Sequence, residues 1–421
     1  MNNILQKIVD KVNSCEGKSD FLDVLFGEYK ESALAGESIV LFGAGDLGVE
    51  MLYALQLQGV TPTCFCDNNT SKQGKCIKGI PVISFDELQS SHKDSLIVLT
   101  LCKNVRAVAS QLKNAGFDLE NIFRKEDSSD SSLLAMYAMV GTQVTFVDYN
   151  NSSKPQSILD NLISMETKIK VAHDAYMDDK SKELFIAKLA LYASNLHFSL
   201  FKEFMLMFSE PVHQFGMLNY NGTPEDYYYF NNDVLEISEG EVYVDVGAFD
   251  GDTIESFNDA CNKLNVNYKK IYGFEPDPEC YKSLENNVAS YDNVSLHKLG
   301  LWSESKTLEF TSSGESIHDQ AGSVAGSGNV KIEAVSLDDF LDGDKVTFIK
   351  MDPSGDIVNE VLLGAEKTIS KHKPKLALGI YHSLEEFIDI PIYLKEICPE
   401  YKLVLRHNTY HLCDTDLYAY V

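Results

Sequence analysis

Val242-Tyr243-Val244-Asp245-Val246-Gly247-Ala248-Phe249-Asp250-Gly251-Asp252 reads as a short apolar strand carrying an acid near its end, a turn through two glycines, and a helix opening near Thr253. The glycines allow a tight turn and let a ligand approach the backbone closely. The next β-rich run, KKIYGFE, ends at Glu275, 24 residues past Gly251. In an open parallel sheet, a carboxylate at that place holds the two hydroxyls of a ribose. Asp245 offers an ammonium group a negative partner, directly or through water. A nucleoside with a positive amine and no diphosphate fits two acids around a glycine turn better than NAD does. S-adenosylmethionine is such a ligand. The plainer alternative is a doubly wound sheet that uses glycine only to turn.

Residues 240–421 keep this texture. EVYVDVG, KKIYGFE, NVSLHKL, KVTFIKMD and KLALGIYH are β-rich runs separated by helical or loop segments. YKLVLRH and DLYAYV close the chain as an expected antiparallel hairpin. In order, YYFNNDVLEISEGEVYVDVGAFDGDT, IYGFEPDP, LHKLGLWSE, VSLDDFL, VTFIKMD, LLGAEKTISKHKPKLALGIYH and YKLVLRH resemble the FkbM family of S-adenosylmethionine-dependent methyltransferases. The resemblance covers residues 228–421. It implies the class I methyltransferase fold, a seven-stranded sheet whose last strand is antiparallel. It also implies a cofactor site at Asp245, Gly247, Asp250, Gly251 and Glu275, with the segment around Leu299-Gly300 beside it.

One stretch departs from the family. After its version of KMD the family continues Ile-Glu-Gly-Ala-Glu, whereas here Asp352 is followed by Pro353-Ser354-Gly355-Asp356-Ile357. Ser354 and Ile357 replace the two glutamates, and an acid appears one place early at Asp356. Pro353 is expected at the start of the next helix, where its missing N–H is not needed. Ile357, Val361 and Ala365 form one apolar stripe of that helix. The departure implies either an acceptor different from the family's usual one or transfer that is weak or lost.

Methyl transfer needs an oriented acceptor and, for a hydroxyl, a group that takes its proton. Asp352 and His382 are the candidate catalytic residues, because each ends a strand where ligands bind in such sheets. Glu385 and Glu386 follow on the next helix. A metal site built from Asp352, His382 and His407 matches no standard spacing, and no metal is expected. Tyr227–Phe230 reads as interface packing or a lid. The Gly/Ser-rich loop 312–329 reads as a flap, with His318 and Ser323 as its contacts.

Toward the N-terminus, ESIVLF, GAGDLGVEMLYALQLQG, TPTCFCD and SLIVLTL alternate as strand and helix. Gly43-Ala-Gly45-Asp-Leu-Gly48 follows the strand and opens the helix, and Asp67 ends the next strand 19 residues after Gly48. That is the dinucleotide fingerprint in its context, yet about 90 residues leave room for one mononucleotide half only. The continuation CDNNTSKQGKCIKGIPVISFDEL is similar to small nucleotide-binding-type domains of polysaccharide-assembly proteins. Gly43, Gly45, Gly48 and Asp67 thus form a second candidate site, for a nucleotide or nucleotide-sugar, or else a retained scaffold. Beyond the polar break KEDSSDSS, apolar positions Leu184, Ala187, Leu191, Leu196, Leu200 and Met205 recur at near-helical spacing. The aromatic and methionine stripe from Phe201 to Phe208 reads as packing surface. The expected organisation is α/β: a Rossmann-like parallel sheet over 1–130, a helical connector over 131–225, and the methyltransferase domain over 226–421.

Composition sets the outer limits. With 36 basic and 63 acidic residues, net charge −27, the 421-residue chain lacks the positive face that nucleic acid or an anionic membrane requires. No apolar run is long enough to span a bilayer. Nine scattered cysteines fit reduced thiols, and a cytoplasmic protein is expected. The expected activity is S-adenosylmethionine-dependent O-methylation of a sugar or glycan-precursor hydroxyl. The rivals are a cofactor-binding scaffold without transfer and a nucleotide-dependent oxidoreductase using Gly43–Gly48.

Overall fold

The computed structural model describes residues 2–101, 104–125, 133–138, 155–208, 229–230, 234–311, 323–324, 330–353, 357–407, 412 and 415–421. The first sheet comprises β1 (Ile39–Phe42), β2 (Cys64–Cys66), β3 (Cys76–Ile77), β4 (Ile80–Ile83), β5 (Leu96–Leu99) and β6 (Ile122–Phe123). Its order is β3-β4-β2-β1-β5-β6, parallel except for β3 against β4. β1 and β5 are buried throughout, as central parallel strands covered on both faces must be. Ile39 and Leu41 pack with the helix Asp46–Leu57, while Val40 and Phe42 pack with Leu88, Val105 and Leu112 on the other face.

Helices Pro155–Ser164, Glu166–Ala175, Asp179–Ala193 and Phe198–Phe208 follow. Asp179–Ala193 is buried around most of its circumference. It packs against the helix Asn3–Asn13, against Phe198–Phe208, and against strand β16 (Lys402–His407). Leu184, Ala187, Leu191, Leu196, Leu200 and Met205 are all buried, so the near-helical spacing marks a true core face. The stripe from Phe201 to Phe208 packs as expected except at Met207, which is half exposed.

The second large sheet adds β7 (Val242–Val246), β8 (Lys270–Phe274), β9 (Val294–His297), β14 (Phe348–Met351), β15 (Lys375–Gly379) and β17 (Thr415–Tyr420) to β16. Its order is β16-β17-β15-β14-β7-β8-β9, with β17 antiparallel to both neighbours and the other pairings parallel. The terminal hairpin is therefore present. A smaller sheet, β10-β13-β11-β12, is made by β10 (Gly300–Leu301), β11 (Lys306–Thr311), β12 (Ser323–Val324) and β13 (Val330–Val335). The chain leaves β7 outward through β8 and β9, then returns on the other side of β7 as β14. The order reverses between β7 and β14, so a ligand crevice is expected beyond their C-terminal ends.

The helix after β14 differs from expectation. It begins at Val358, not Pro353, with Ile357 at its cap, and ends at Leu363. A second helix, Glu366–His372, follows, and Gly364 between them runs against the Trp302 carbonyl, where a Cβ would lie 2.0 Å from that oxygen. Val361 and Ala365 are buried as the stripe required, now on a broken helix. Ser354, Asp356, Tyr227, Tyr228 and His318 lie outside the described residues. No described helix is long and apolar enough to cross a membrane.

Candidate active site

The turn after β7 is built by backbone. The N–H groups of Gly247 and Ala248 both donate to the Phe274 carbonyl, at 3.1 and 3.0 Å, and Gly251 N–H closes on Ala248 at 2.8 Å. Gly247 has φ +72, and a Cβ there would meet the Asp352 carbonyl oxygen at 2.9 Å. Gly251, at φ +96, caps the helix Asp252–Leu264 and would press on Val288. Both glycines are thus required by conformation and by close approach. Asp250 lies in this turn, and burial pushes its carboxyl up, helped by the neighbouring charge of Asp252.

Beneath the turn is a buried ion pair. Asp245 has no exposed surface; its Oδ1 lies 3.2 Å from Lys350 Nζ and its Oδ2 accepts from the Thr253 hydroxyl. Lys350, on β14, also donates to the Gly247 carbonyl at 3.0 Å. Burial works against the charge of Lys350, but Asp245, Asp352 and Asp252 hold its pKa above the usual value. Asp245 is thus held beneath the turn by Lys350 and Thr253.

Glu275 sits just past β8. Its two oxygens accept the N–H groups of Phe249, at 3.0 Å, and Asp277, at 2.8 Å. Burial pushes its carboxyl up to about 7, against the opposing effect of those N–H groups. The sequence-derived set Asp245, Gly247, Asp250, Gly251 and Glu275 is thus gathered around one turn. Leu299 is partly buried beside the core, and Gly300 opens β10 on the smaller sheet.

Asp352 and His382 are also brought together, His382 Nε2 lying 3.5 Å from Asp352 Oδ1. Asp352 accepts from the Tyr381 hydroxyl at 2.9 Å and from the Tyr229 hydroxyl at 3.1 Å. Gly379, at the end of β15, makes room for that carboxylate: a Cβ there would lie 2.5 Å from Asp352 Oδ1. On its other side, His382 Nδ1 faces Glu386 Oε2 at 3.3 Å. His407 is elsewhere, against Thr415 and the Phe204 ring. Among the described residues no group of His, Cys, Asp and Glu has the arrangement of a metal site.

Sequence reading left out Lys350, Tyr381 and Gly379. The only local sign of Lys350 was a cation inside an apolar strand. Phe230, next to Tyr229, packs edge-on to Tyr243, Phe257 and Phe348, which anchors the segment preceding β7.

The first glycine turn is arranged differently. Gly43, at φ +122, lies against the Thr100 carbonyl, and Gly48 against the Gly43 carbonyl. Asp67 accepts from the N–H groups of Ala44, at 2.9 Å, and Asn69, at 2.8 Å. Lys72 donates to the Ala44 carbonyl at 2.8 Å and lies 3.4 Å from Asp67. Burial tends to raise Asp67, but these N–H groups and Lys72 hold it below the usual carboxylate range. Its carboxylate braces the turn, and Lys72 reaches over Gly45.

Among the described residues the β7–β14 crevice thus combines a turn through two glycines with the Glu275 carboxylate just past β8. Residues 245–412 match the methyltransferase FkbM domain, and residues 12–119 match the C-methyltransferase C-terminal domain. No curated protein matches the chain by sequence. The crystal structure of methyltransferase FkbM from Methylobacillus flagellatus KT is similar with TM-score 0.62 and 19% identity, over 99% of each chain. Aeropyrum pernix fibrillarin, crystallised with S-adenosyl-L-methionine, gives TM-score 0.29 and 12% identity, over 44% of this chain and 69% of its own. A Streptococcus mutans putative methyltransferase gives TM-score 0.29 and 12% identity, over 47% and 98%. Over residues 245–412 the chain is thus similar to the methyltransferase FkbM domain, and the protein is an S-adenosylmethionine-dependent methyltransferase.

Proposed function

We propose that the protein transfers a methyl group to a hydroxyl of a sugar or glycan precursor. The observation that carries this reading is the meeting of Asp352 and His382 next to the Gly247 turn, two proton-handling side chains at one crevice. Bound there, S-adenosylmethionine supplies an electrophilic methyl group. Glu275 would accept from its ribose hydroxyls and the Gly247–Gly251 turn would hold its methionine portion, while Lys350 with Asp245 holds that turn in shape. Asp352 and His382 orient the acceptor hydroxyl and take its proton. The imidazole and carboxylate of the crevice suit an oxygen acid, which supports oxygen as the atom methylated.

In this reading the chain has three parts: residues 1–130, a helical connector over 131–225, and the transferase over 226–421. The helix Asn3–Asn13 packs on the connector helices, which supports their acting as one support for the catalytic sheet. The Gly43–Gly48 turn, with Lys72 over it, is assigned a nucleotide or nucleotide-sugar, which would carry the acceptor sugar. The protein works in the cytoplasm, where such precursors are made. Incubation with S-adenosylmethionine labelled in its methyl group and a panel of nucleotide-sugars tests the reading. A labelled methyl ether on a sugar is expected; label on carbon, or transfer to none of the panel while the cofactor binds, contradicts it.

A further inference from the structure

Three elements converge on the partly exposed Asp352 carboxylate. Asp352 follows β14, and its N–H donates to the Val246 carbonyl at 3.2 Å, which ties it to the end of β7 next to the Gly247 turn. Tyr381, just past β15, places its hydroxyl 2.9 Å from Oδ1 and 3.0 Å from Oδ2. Tyr229, buried in the segment before β7, donates to Oδ2 at 3.1 Å. Lys350 Nζ lies over the Tyr229 ring, 5.7 Å from its centroid, and the neighbouring Phe230 packs edge-on to Phe257. Gly379 leaves the space that Oδ1 occupies, since a Cβ there would lie 2.5 Å from that oxygen and 3.0 Å from the Tyr381 ring.

We infer that Tyr381 and Tyr229 are positioning residues for methyl transfer: their hydroxyls lock the orientation of the Asp352 carboxylate and turn Oδ1 to the acceptor. This rests on the reading of the crevice as the methyl-acceptor site. The last bond of an aspartate rotates over a broad range, and an ionised carboxylate only accepts hydrogen bonds. One phenol bridging both oxygens, with a second phenol on Oδ2, removes that rotation. Among the described residues Oδ2 has two phenol donors, whereas Oδ1 only shares the one from Tyr381. Oδ1 is therefore the oxygen with capacity left for a substrate hydroxyl, and it is the one on the His382 side, 3.5 Å from Nε2. In-line attack on a sulfonium methyl tolerates little displacement of the attacking oxygen. An acceptor held at Oδ1 takes its position from the β14–β7 pairing that also builds the cofactor turn.

The hydroxyls, not the rings, carry this role. Tyr381 stacks on His382 at 4.3 Å between ring centroids, and phenylalanine keeps that contact while it removes the donor. Tyr381 reaches both carboxylate oxygens and Tyr229 one, so loss of the Tyr381 hydroxyl has the larger effect.

The test compares Tyr381→Phe, Tyr229→Phe and Asp352→Asn in the full chain, with methyl-labelled S-adenosylmethionine and the nucleotide-sugar panel as acceptors. Tyr381→Phe should lower turnover at least about tenfold. The acceptor KM and the calorimetric affinity for S-adenosylmethionine should stay within about twofold of wild type. Para-aminophenylalanine in place of Tyr381 returns an N–H donor and should recover part of the loss, whereas a residue that only packs would work equally well as phenylalanine. Because the tyrosine acts through the carboxylate, Tyr381→Phe should cost little more once Asp352→Asn is present. Tyr229→Phe should lower turnover by a smaller factor, and it carries the same test if Tyr381→Phe does not fold. Undiminished turnover in the folded phenylalanine variants, or the same loss on the Asp352→Asn background, overturns the assignment while wild-type transfer keeps the acceptor-site reading. A wild type that binds S-adenosylmethionine but methylates none of the panel strikes that reading, and the positioning role with it.

Discussion

Replacing Lys350 by methionine removes a cation that lies 3.2 Å from a fully buried carboxylate and 3.0 Å from the Gly247 carbonyl. Methionine keeps most of the volume, so the loss is electrostatic. Asp245 would retain the Thr253 hydroxyl but no counter-charge. Breaking a buried pair from one side costs about 3–5 kcal/mol. For a domain of this size that corresponds to a melting temperature lower by roughly 6–20 °C. Thermal and urea unfolding of Lys350→Met, Asp245→Asn and the double variant measure it. The double variant should recover about half of the Lys350→Met loss or more, since it leaves no orphaned charge. The single variant should also be less destabilised at acidic pH. The folded-state pKa of Asp245 is already raised by burial, and removing the cation raises it further, so acid restores stability by neutralising the carboxyl and rising pH removes it. Stability of Lys350→Met within about 0.5 kcal/mol of wild type would refute the reasoning.

Three further outcomes are expected. Gly379→Ala places a methyl group 2.5 Å from the carboxylate of Asp352; the fold should survive with a loss of about 1–3 kcal/mol, while transfer falls at least tenfold with cofactor affinity unchanged. Glu275, raised from 4.5 to about 7, favours the folded state when protonated, so its contribution is present below about pH 4.5 and is lost by about pH 7, roughly 3 kcal/mol in all. Glu275→Gln should flatten that slope, whereas wild-type cofactor affinity should rise with pH through the same upper range, because ribose hydroxyls prefer the ionised acceptor. Lys72→Ala should weaken the binding of a nucleoside diphosphate sugar without changing S-adenosylmethionine affinity, measured by calorimetry.

What the sequence made legible is what neighbouring residues decide. Central parallel strands are continuous apolar runs, so β1, β5, β7 and β14 stand out, and glycine turns are fixed by local spacing. The cofactor-side set was legible for that reason. Lys350 was not, because its partner Asp245 is distant in sequence and becomes a neighbour only when β14 pairs with β7. Glu386 was visible as an acid on the helix after His382, but its burial follows from the Val358 N–H of another helix. The early helix start expected at Pro353 failed because the first helical N–H, that of Val358, is capped by Glu386 from another helix, and the need for glycine at 364 comes from Trp302, on a different strand end. Asp67 has the spacing of a ribose ligand, and the donors that the fold sets beside it, from Ala44, Asn69 and Lys72, are not revealed by spacing.

Calorimetric titration of the full chain with S-adenosylmethionine, repeated on Glu275→Ala and with NAD as comparison ligand, tests the central claim most directly. Micromolar binding that collapses in the variant, with none to NAD, is the predicted result. A folded wild-type protein that does not bind S-adenosylmethionine, or binds it equally well without Glu275, would contradict the placement of the cofactor at the β7 turn.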